Sequence, residues 1–144
     1  MEDESLKKYE LSGTGRKIEV REKKSKYKID LNDRLFQFAV RCLRLLNELS
    51  NKRQFDIFKI QLSKSCTSIG ANYEESQASS FAEFRQRIQI CLRESRETHY
   101  WIKLLRQVYE QDNSAKISQL DELLQESLEI KLIFGAISSK VKNK

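Results

Sequence analysis

The chain of 144 residues contains no proline and only four glycines. Because these two residues mark turns and loops, their scarcity argues against an all-β or loop-rich protein. The apolar runs are only a few residues long, which is too short to cross a membrane, and the polar N-terminus lacks the apolar segment of a signal peptide. We therefore expect one helical domain with no membrane association.

Cysteine and histidine are also scarce. The three cysteines are Cys42, Cys66 and Cys91. They lie far apart on apolar faces without the paired spacing of a metal site, so we expect buried free thiols, a reducing cytoplasm and no bound metal. For His99, the one histidine, packing or an interface beside Tyr100 and Trp101 is favoured over general-base chemistry.

Motifs that carry catalysis are absent from the sequence. It has no Gly-rich phosphate loop, no nucleophile elbow and no Glu-x-x-His pair of the kind that builds a di-iron bundle. No catalytic residue and no cofactor is therefore predicted, and an enzyme is the weakest of the hypotheses that the sequence allows.

Apolar residues at intervals of three and four occur in four long segments. These segments, labelled A to D, cover about residues 32–47, 54–77, 81–109 and 114–144. The polar turns between them are short and force neighbouring helices to be antiparallel. Residues 31–144 are therefore predicted to form an all-α, antiparallel up-down-up-down four-helix bundle.

Two helix starts are marked by polar residues. Asn32 or Asp33 is expected to cap helix A. Ser80 and Glu83 have the spacing of a capping box, in which each side chain satisfies a backbone amide of the other residue. The start of helix C at residue 81 is therefore one of the better defined boundaries.

Helix B has an unusual middle, because Gly70 lies among serines and other small residues. A glycine within a helix costs about 1 kcal/mol relative to alanine. Small side chains allow a neighbouring helix to pack tightly, so we predict a close approach of another helix, in a protein built from several copies. A polar loop is the alternative, although the apolar spacing continues through the segment.

Residues 1–30 are predicted to be a flexible, poorly ordered, basic N-terminal arm. Within it, residues 16–28 hold seven basic and two acidic side chains, and Ile18 and Val20 alternate as they would in a short strand. This charge suits either a nucleic-acid-binding arm or a solvated tail, and on charge alone the tail is favoured.

Within the bundle, the excess of positive charge lies around helices A and C. Residues 33–64 hold seven basic and three acidic side chains, residues 81–109 six and three, and residues 110–144 five and six, in a chain of net charge +6. At 100° per residue, basic side chains recur along one side of each helix. They are Arg34, Arg41, Arg44 and Lys52 on helix A, and Arg85, Arg93, Arg96, Lys103 and Arg106 on helix C. Guanidinium groups offer planar donors to phosphate, so this set is predicted to bind RNA or DNA. A solvated surface with ion pairs such as Glu83 with Arg87 and Arg93 with Glu97 is the alternative.

Helix C carries a second apolar face in addition to its core stripe. Ile90, Trp101 and Leu104 lie well round the helix from that stripe. The core of a small bundle requires one apolar face from each helix, so these three residues are predicted to contact another subunit.

Two stretches of the sequence resemble a known family. Residues 61–73 read QLSKSCTSIGANY, and helix C carries Glu94, Glu97 and Tyr100-Trp101-Ile102. This pattern resembles the bacterial four-helix-bundle proteins first noticed in intervening sequences of 23S ribosomal RNA genes. The resemblance covers about residues 31–140. Ser68, Gly70, Ala71 and Asn72 match the helix B signature, and Glu97 and Trp101 match the helix C signature. Tyr73-Glu74-Glu75 departs from the usual pattern.

The resemblance implies a bundle that assembles as a ring, commonly a pentamer, with no established enzymatic activity. A relative in the same fold family is the accessory variability determinant of diversity-generating retroelements. That relative is a basic pentamer which binds nucleic acid and a partner reverse transcriptase. The kinship favours RNA as a ligand of this chain.

The leading hypothesis is a non-catalytic homo-oligomer that associates with RNA or other nucleic acid through the basic faces of helices A and C. The alternative is a protein-interaction scaffold, for example a polymerase accessory subunit, that presents the surface around Trp101 without binding nucleic acid. The partners expected are thus other copies of the chain, RNA or DNA, and a polymerase-type protein.

Overall fold

The computed structural model describes the backbone of residues 4–10, 17–23, 30–109 and 114–144, and the side chains of residues 30–109 and 115–144. Its helices are α1 (Leu31–Asn47), α2 (Asp56–Ser76), α3 (Phe81–Val108) and α4 (Ser114–Lys142). A short 3-10 turn, Arg53–Phe55, leads into α2. The helix pairs in contact are α1–α2, α2–α3, α3–α4 and α1–α4, so the predicted all-α four-helix bundle is confirmed.

The starts of α1 and α3 differ in how well the sequence predicted them. Helix α1 follows Asp30, whose side chain makes no capping hydrogen bond, so the predicted caps Asn32 and Asp33 were wrong and lie in the first turn. At α3 the capping box is confirmed: Ser80 N donates to Glu83 Oε2 over 2.9 Å, and Glu83 N donates to Ser80 Oγ over 3.4 Å. These bonds to Ser80 lower the pKa of the Glu83 carboxyl.

Two strands precede the bundle, β1 (Glu4–Glu10) and β2 (Lys17–Lys23), and they pair antiparallel. The register places Glu4 opposite Lys23, Lys8 opposite Glu19 and Glu10 opposite Lys17. The alternation of Ile18 and Val20 indicated β2, whereas β1 was not predicted. The other residues of the arm, 1–3, 11–16 and 24–29, lie outside the described residues, and the poor order of the arm stays a prediction.

All four helices contribute to one apolar core, in which Phe38, Leu62, Ile88 and Phe134 are almost fully buried. The rings of Tyr73 and Phe134 meet edge to face, with centroids 5.8 Å apart, and so connect α2 with α4 through the centre of the bundle. No helix among the described residues is long and apolar enough to span a membrane.

The three cysteines are buried free thiols, as predicted. Burial raises the pKa of the Cys91 thiol to about 12. A hydrogen bond with Cys66, together with burial, raises the pKa of the Cys42 thiol well above its usual value. A thiol with so high a pKa is almost never a thiolate near neutral pH, so these cysteines act as core residues.

Gly70 lies inside α2, which rules out the polar loop considered from the sequence. A Cβ added at Gly70 would meet Leu35 Cβ of α1 at 3.6 Å, an ordinary contact distance. The predicted neighbouring helix is therefore α1 of the same chain. The hydroxyls of Ser63 and Thr67 donate to the carbonyls of Lys59 and Ser63 one turn earlier, which is how this hydroxyl-rich helix satisfies its side chains.

Gly135 of α4 has open space beside it: apart from its chain neighbours and the backbone of its own helix turns, no described atom lies within 4 Å of a Cβ added there. Gly135→Ala is therefore expected to raise the free energy of unfolding by about 0.5–1 kcal/mol, through helix propensity. Gly70→Ala should act in the same direction, because its new methyl group meets Leu35 without a clash. Urea unfolding curves of the two variants and the natural chain measure the change, and a loss of stability in Gly135→Ala would contradict it.

Candidate nucleic-acid interface

Two of the basic residues predicted on α1 are paired with α4. Arg34, 20% exposed, places Nε 2.5 Å from Glu126 Oε1 and Nη2 3.4 Å from Glu129 Oε2. Arg41 Nη2 lies 3.3 Å from Glu122 Oε2. These ion pairs join the first and last helices, so both arginines have an internal partner. The sequence carried a signal that we did not use, since the three glutamates follow one another at spacings of four and three.

The remaining predicted cations of the first segment, Arg44 and Lys52, are exposed at the C-terminal end of α1 and in the connection to α2. Neither forms an ion pair with another residue in the part of the chain that the structure describes. Arg34 and Arg41 are thus ion-paired with α4 whereas Arg44 and Lys52 are not, so the predicted stripe on helix A is divided.

Helix α3 presents the larger set of uncompensated cations. Arg106 Nε lies 2.6 Å from Asp121 Oδ1 and is neutralised there. The other four are exposed, and over residues 30–109 and 115–144 none of them forms an ion pair. We call this set the α3 basic face; it consists of Arg85, Arg93, Arg96 and Lys103.

The geometry of a helix fixes how these four side chains are arranged. At 100° per residue, Arg85, Arg96 and Lys103 fall within about 20° of one another, and Arg93 lies about 60–80° further round. From Arg85 to Lys103 the face extends about 27 Å along the axis. It is therefore a row of positive charges, interrupted by about 12 Å between Arg85 and Arg93, and it is long enough to contact several phosphates.

The two intrahelical ion pairs weighed as the alternative do not form among the described residues. Glu83 instead serves the capping box with Ser80. The side chain of Arg87 turns towards α2, where Nη1 donates to Asn72 Oδ1 over 2.9 Å. Glu97 Oε1 accepts a hydrogen bond from Trp101 Nε1 over 3.3 Å. Arg93 therefore forms no ion pair with Glu97, although its charge acts on the neighbouring Glu94 carboxyl.

The residues predicted to form an oligomer interface are each half-buried within the chain. The Trp101 ring packs edge to face on Phe58 of α2, with centroids 6.0 Å apart, and both Trp101 and Leu104 pack against the core. Ile90 lies on the same side of α3, within about 40° of Trp101 and Leu104 round the helix axis. The second apolar face of this helix is thus used partly inside its own bundle.

More exposed apolar side chains lie on α1 and α2, and the sequence analysis missed them. Phe36, Leu43, Ile57 and Ile60 are between 41% and 64% exposed, and we call them the α1/α2 apolar face. On α1, Phe36 and Leu43 are seven residues apart and so lie on one side of the helix, away from the core stripe. That spacing was visible in the sequence.

His99 lies between α3 and α4, where its Nδ1 is 2.9 Å from Ser127 Oγ. Burial, followed by the charges of Lys131 and Lys103, lowers the pKa of the imidazole. The neutral ring is thus favoured in the folded chain, which fits the packing role favoured from the sequence. No group of three His, Cys, Asp or Glu side chains suited to a metal ion occurs among the described residues.

The lowered pKa of His99 predicts a pH dependence. As the pH falls below the usual histidine pKa of about 6.5, the unfolded chain binds a proton more readily than the folded chain, so the free energy of unfolding decreases. His99→Gln should lose less stability than the natural chain between pH about 7.5 and about 5.5. Urea unfolding at both pH values tests this, and parallel losses in the two proteins would contradict it.

Comparisons with known proteins agree with the fold. A family model described as 23S rRNA-intervening sequence protein matches residues 28–134. Among solved structures, the chain is similar to a protein of unknown function from the S23 ribosomal protein family of Bacteroides thetaiotaomicron, with 34% sequence identity and a TM-score of 0.63. That match covers 76% of this chain and 98% of the other. No curated protein matches the chain.

Proposed function

The chain belongs to the 23S rRNA-intervening sequence protein family, and from this premise we propose that it is a non-catalytic, homo-oligomeric bundle that binds RNA or other nucleic acid through the α3 basic face. The observation that carries the proposal is a set of four exposed cations, none of which forms an ion pair with another described residue. Paired cations such as Arg34 and Arg106 stabilise the bundle, whereas unpaired ones remain available to an anionic ligand.

The physical basis is the repulsion among these cations. Arg93 and Arg96 are three residues apart, which makes them neighbours on the helix surface, and like charges at such spacings destabilise a helix. A phosphate chain along α3 would relieve that repulsion and release its own condensed counterions. Guanidinium groups also offer paired donors that match the phosphate oxygens.

The test of this proposal is a binding titration with a short RNA at two salt concentrations. Binding through several phosphate contacts should weaken steeply as salt rises, since log K falls linearly with log salt concentration. The same titration with DNA of matched sequence shows whether the sugar matters. Absence of binding, or binding that does not change with salt, would overturn the proposal.

For self-association, the α1/α2 apolar face is a stronger candidate than Ile90, Trp101 and Leu104, which stay a predicted interface. Exposed apolar side chains on two adjacent helices are a surface that another copy would cover. Light scattering should give a mass of several chains, and Ile60→Asp should reduce it. If the natural chain is a monomer, the face is open to a different protein, which favours the alternative of an interaction scaffold.

A further inference from the structure

We infer that Tyr100 is a stacking platform for an unpaired base, so that the α3 basic face takes single-stranded nucleic acid, including the loop of a folded RNA, in preference to a duplex. This inference rests on the proposed function, because it concerns the ligand of the same surface. It adds a residue and a ligand class that the cations alone do not specify.

The position of Tyr100 places an aromatic ring among the cations. Tyr100 is 57% exposed, although an aromatic side chain normally gains by burial. It follows Arg96 by four residues and precedes Lys103 by three, and residues at these spacings are surface neighbours on a helix. A ligand whose phosphates contact Arg96 and Lys103 therefore runs beside the Tyr100 ring, which lies about 40–60° to one side of them. These two cations lie about 10 Å apart along the axis.

The ring of Tyr100 also packs against a neighbouring aromatic ring. Its centroid is 5.3 Å from that of Trp101, with an angle of 75° between the planes, and Trp101 in turn meets Phe58 edge to face. Trp101 is fixed further by its hydrogen bond to Glu97. In a T-shaped contact Trp101 covers at most one face of the Tyr100 ring, so the other face is available. Because the contact with Trp101 already restricts the Tyr100 ring, stacking a base on Tyr100 loses less side-chain entropy.

A stacking ring distinguishes single strands from duplexes. In a duplex the faces of the bases are already stacked on one another, and a protein surface reaches mainly phosphates and sugars. In a single strand or a loop the bases can turn outwards and stack on aromatic side chains, which tolerate any base. The α3 basic face would thus bind both forms through its charge, and Tyr100 would add affinity for the single-stranded form alone.

The experiment compares three variants on two probes at one low salt concentration. The variants are Tyr100→Ala, Tyr100→Phe and Leu132→Ala. The probes are an unstructured RNA of about 12 nucleotides, within the range of known single-strand site sizes, and an RNA duplex of equal length. Tyr100→Ala should weaken binding of the single strand by about 5- to 150-fold and leave binding of the duplex unchanged. Tyr100→Phe keeps a stacking ring, and Leu132→Ala removes an exposed apolar side chain from a different helix, so both should bind like the natural chain.

Two outcomes separate the inference from the proposed function. If Tyr100→Ala binds the single strand as tightly as the natural chain, or loses affinity for both probes equally, the stacking role is overturned while salt-sensitive binding still supports the α3 basic face. If the natural chain binds neither probe, both proposals fail.

Trp101 is the one tryptophan in the chain, so its fluorescence reports on this site. It should change on adding the single strand and change less in Tyr100→Ala.

Discussion

Replacing Arg93, Arg96 and Lys103 together by glutamine is expected to weaken nucleic-acid binding between about 3- and 150-fold. The range follows from three exposed charge pairs of about 0.2–1 kcal/mol each. The slope of log K against log salt concentration should also become shallower by about two, since each phosphate contact contributes about 0.7–0.9. Fluorescence anisotropy with a labelled RNA at several salt concentrations measures both quantities. The fold should persist, because none of the three side chains has an internal ion-pair partner among the described residues.

A matched variant separates position from net charge. Arg44, Lys52 and Arg53 are exposed cations around the connection from α1 to α2, and replacing them by glutamine lowers the net charge of +6 by the same amount. If the α3 basic face is the site, this variant should retain most of the affinity. Equal losses in both variants would show that binding follows overall charge and would remove the assignment to α3.

Phe134→Ala is expected to lower the free energy of unfolding by about 3–5 kcal/mol. Phe134 is fully buried, and its ring contacts Tyr73 where α2 and α4 meet in the core. The substitution removes apolar contacts and leaves a cavity that the rigid helices fill only partly. Since small domains are stable by about 5–15 kcal/mol, a large part of the folded population should be lost on mild heating. Urea and thermal unfolding measure this change.

Leu132→Ala is the control for this substitution. Leu132 lies two residues earlier on the same helix and is 62% exposed, so its truncation should change the free energy of unfolding by no more than about 0.5 kcal/mol. Alanine is also a good helix former, which isolates the effect of core packing. A comparable loss in both variants would mean that α4 is buried on both sides, for example by another copy of the chain.

The helices could be predicted from the sequence because their signal is local. Apolar spacing defined α2 even through Gly70. The capping box fixed the start of α3, because Ser80 and Glu83 are only three residues apart. The start of α1 was placed too late because Asp30, the residue before the helix, does not use its side chain as a cap. Strand β1 was missed because its apolar residues, Leu6 and Tyr9, do not alternate with the period of two that indicates a strand.

The candidate site could be predicted only in part, because ion pairing is a property of the tertiary structure. Arg34 and Arg96 look alike in sequence, yet the partners of Arg34 are 92 and 95 residues away on α4. The exposure of Tyr100 likewise depends on how α2 and α4 flank α3. A helical wheel shows which cations share a side, but it does not show which of them a glutamate of another helix will neutralise.

The three thiols have a practical consequence, since Cys42, Cys66 and Cys91 each lie on a different one of the first three helices. These sulfurs are fully buried, so a water-soluble alkylating reagent reaches one only when the helices around it separate. Contact with water also allows the thiol to form the reactive thiolate. The rate at which each position is labelled would therefore report how often that helix opens under native conditions. Mass spectrometry of the labelled peptides could then rank the helices by local stability, without any substitution in the chain.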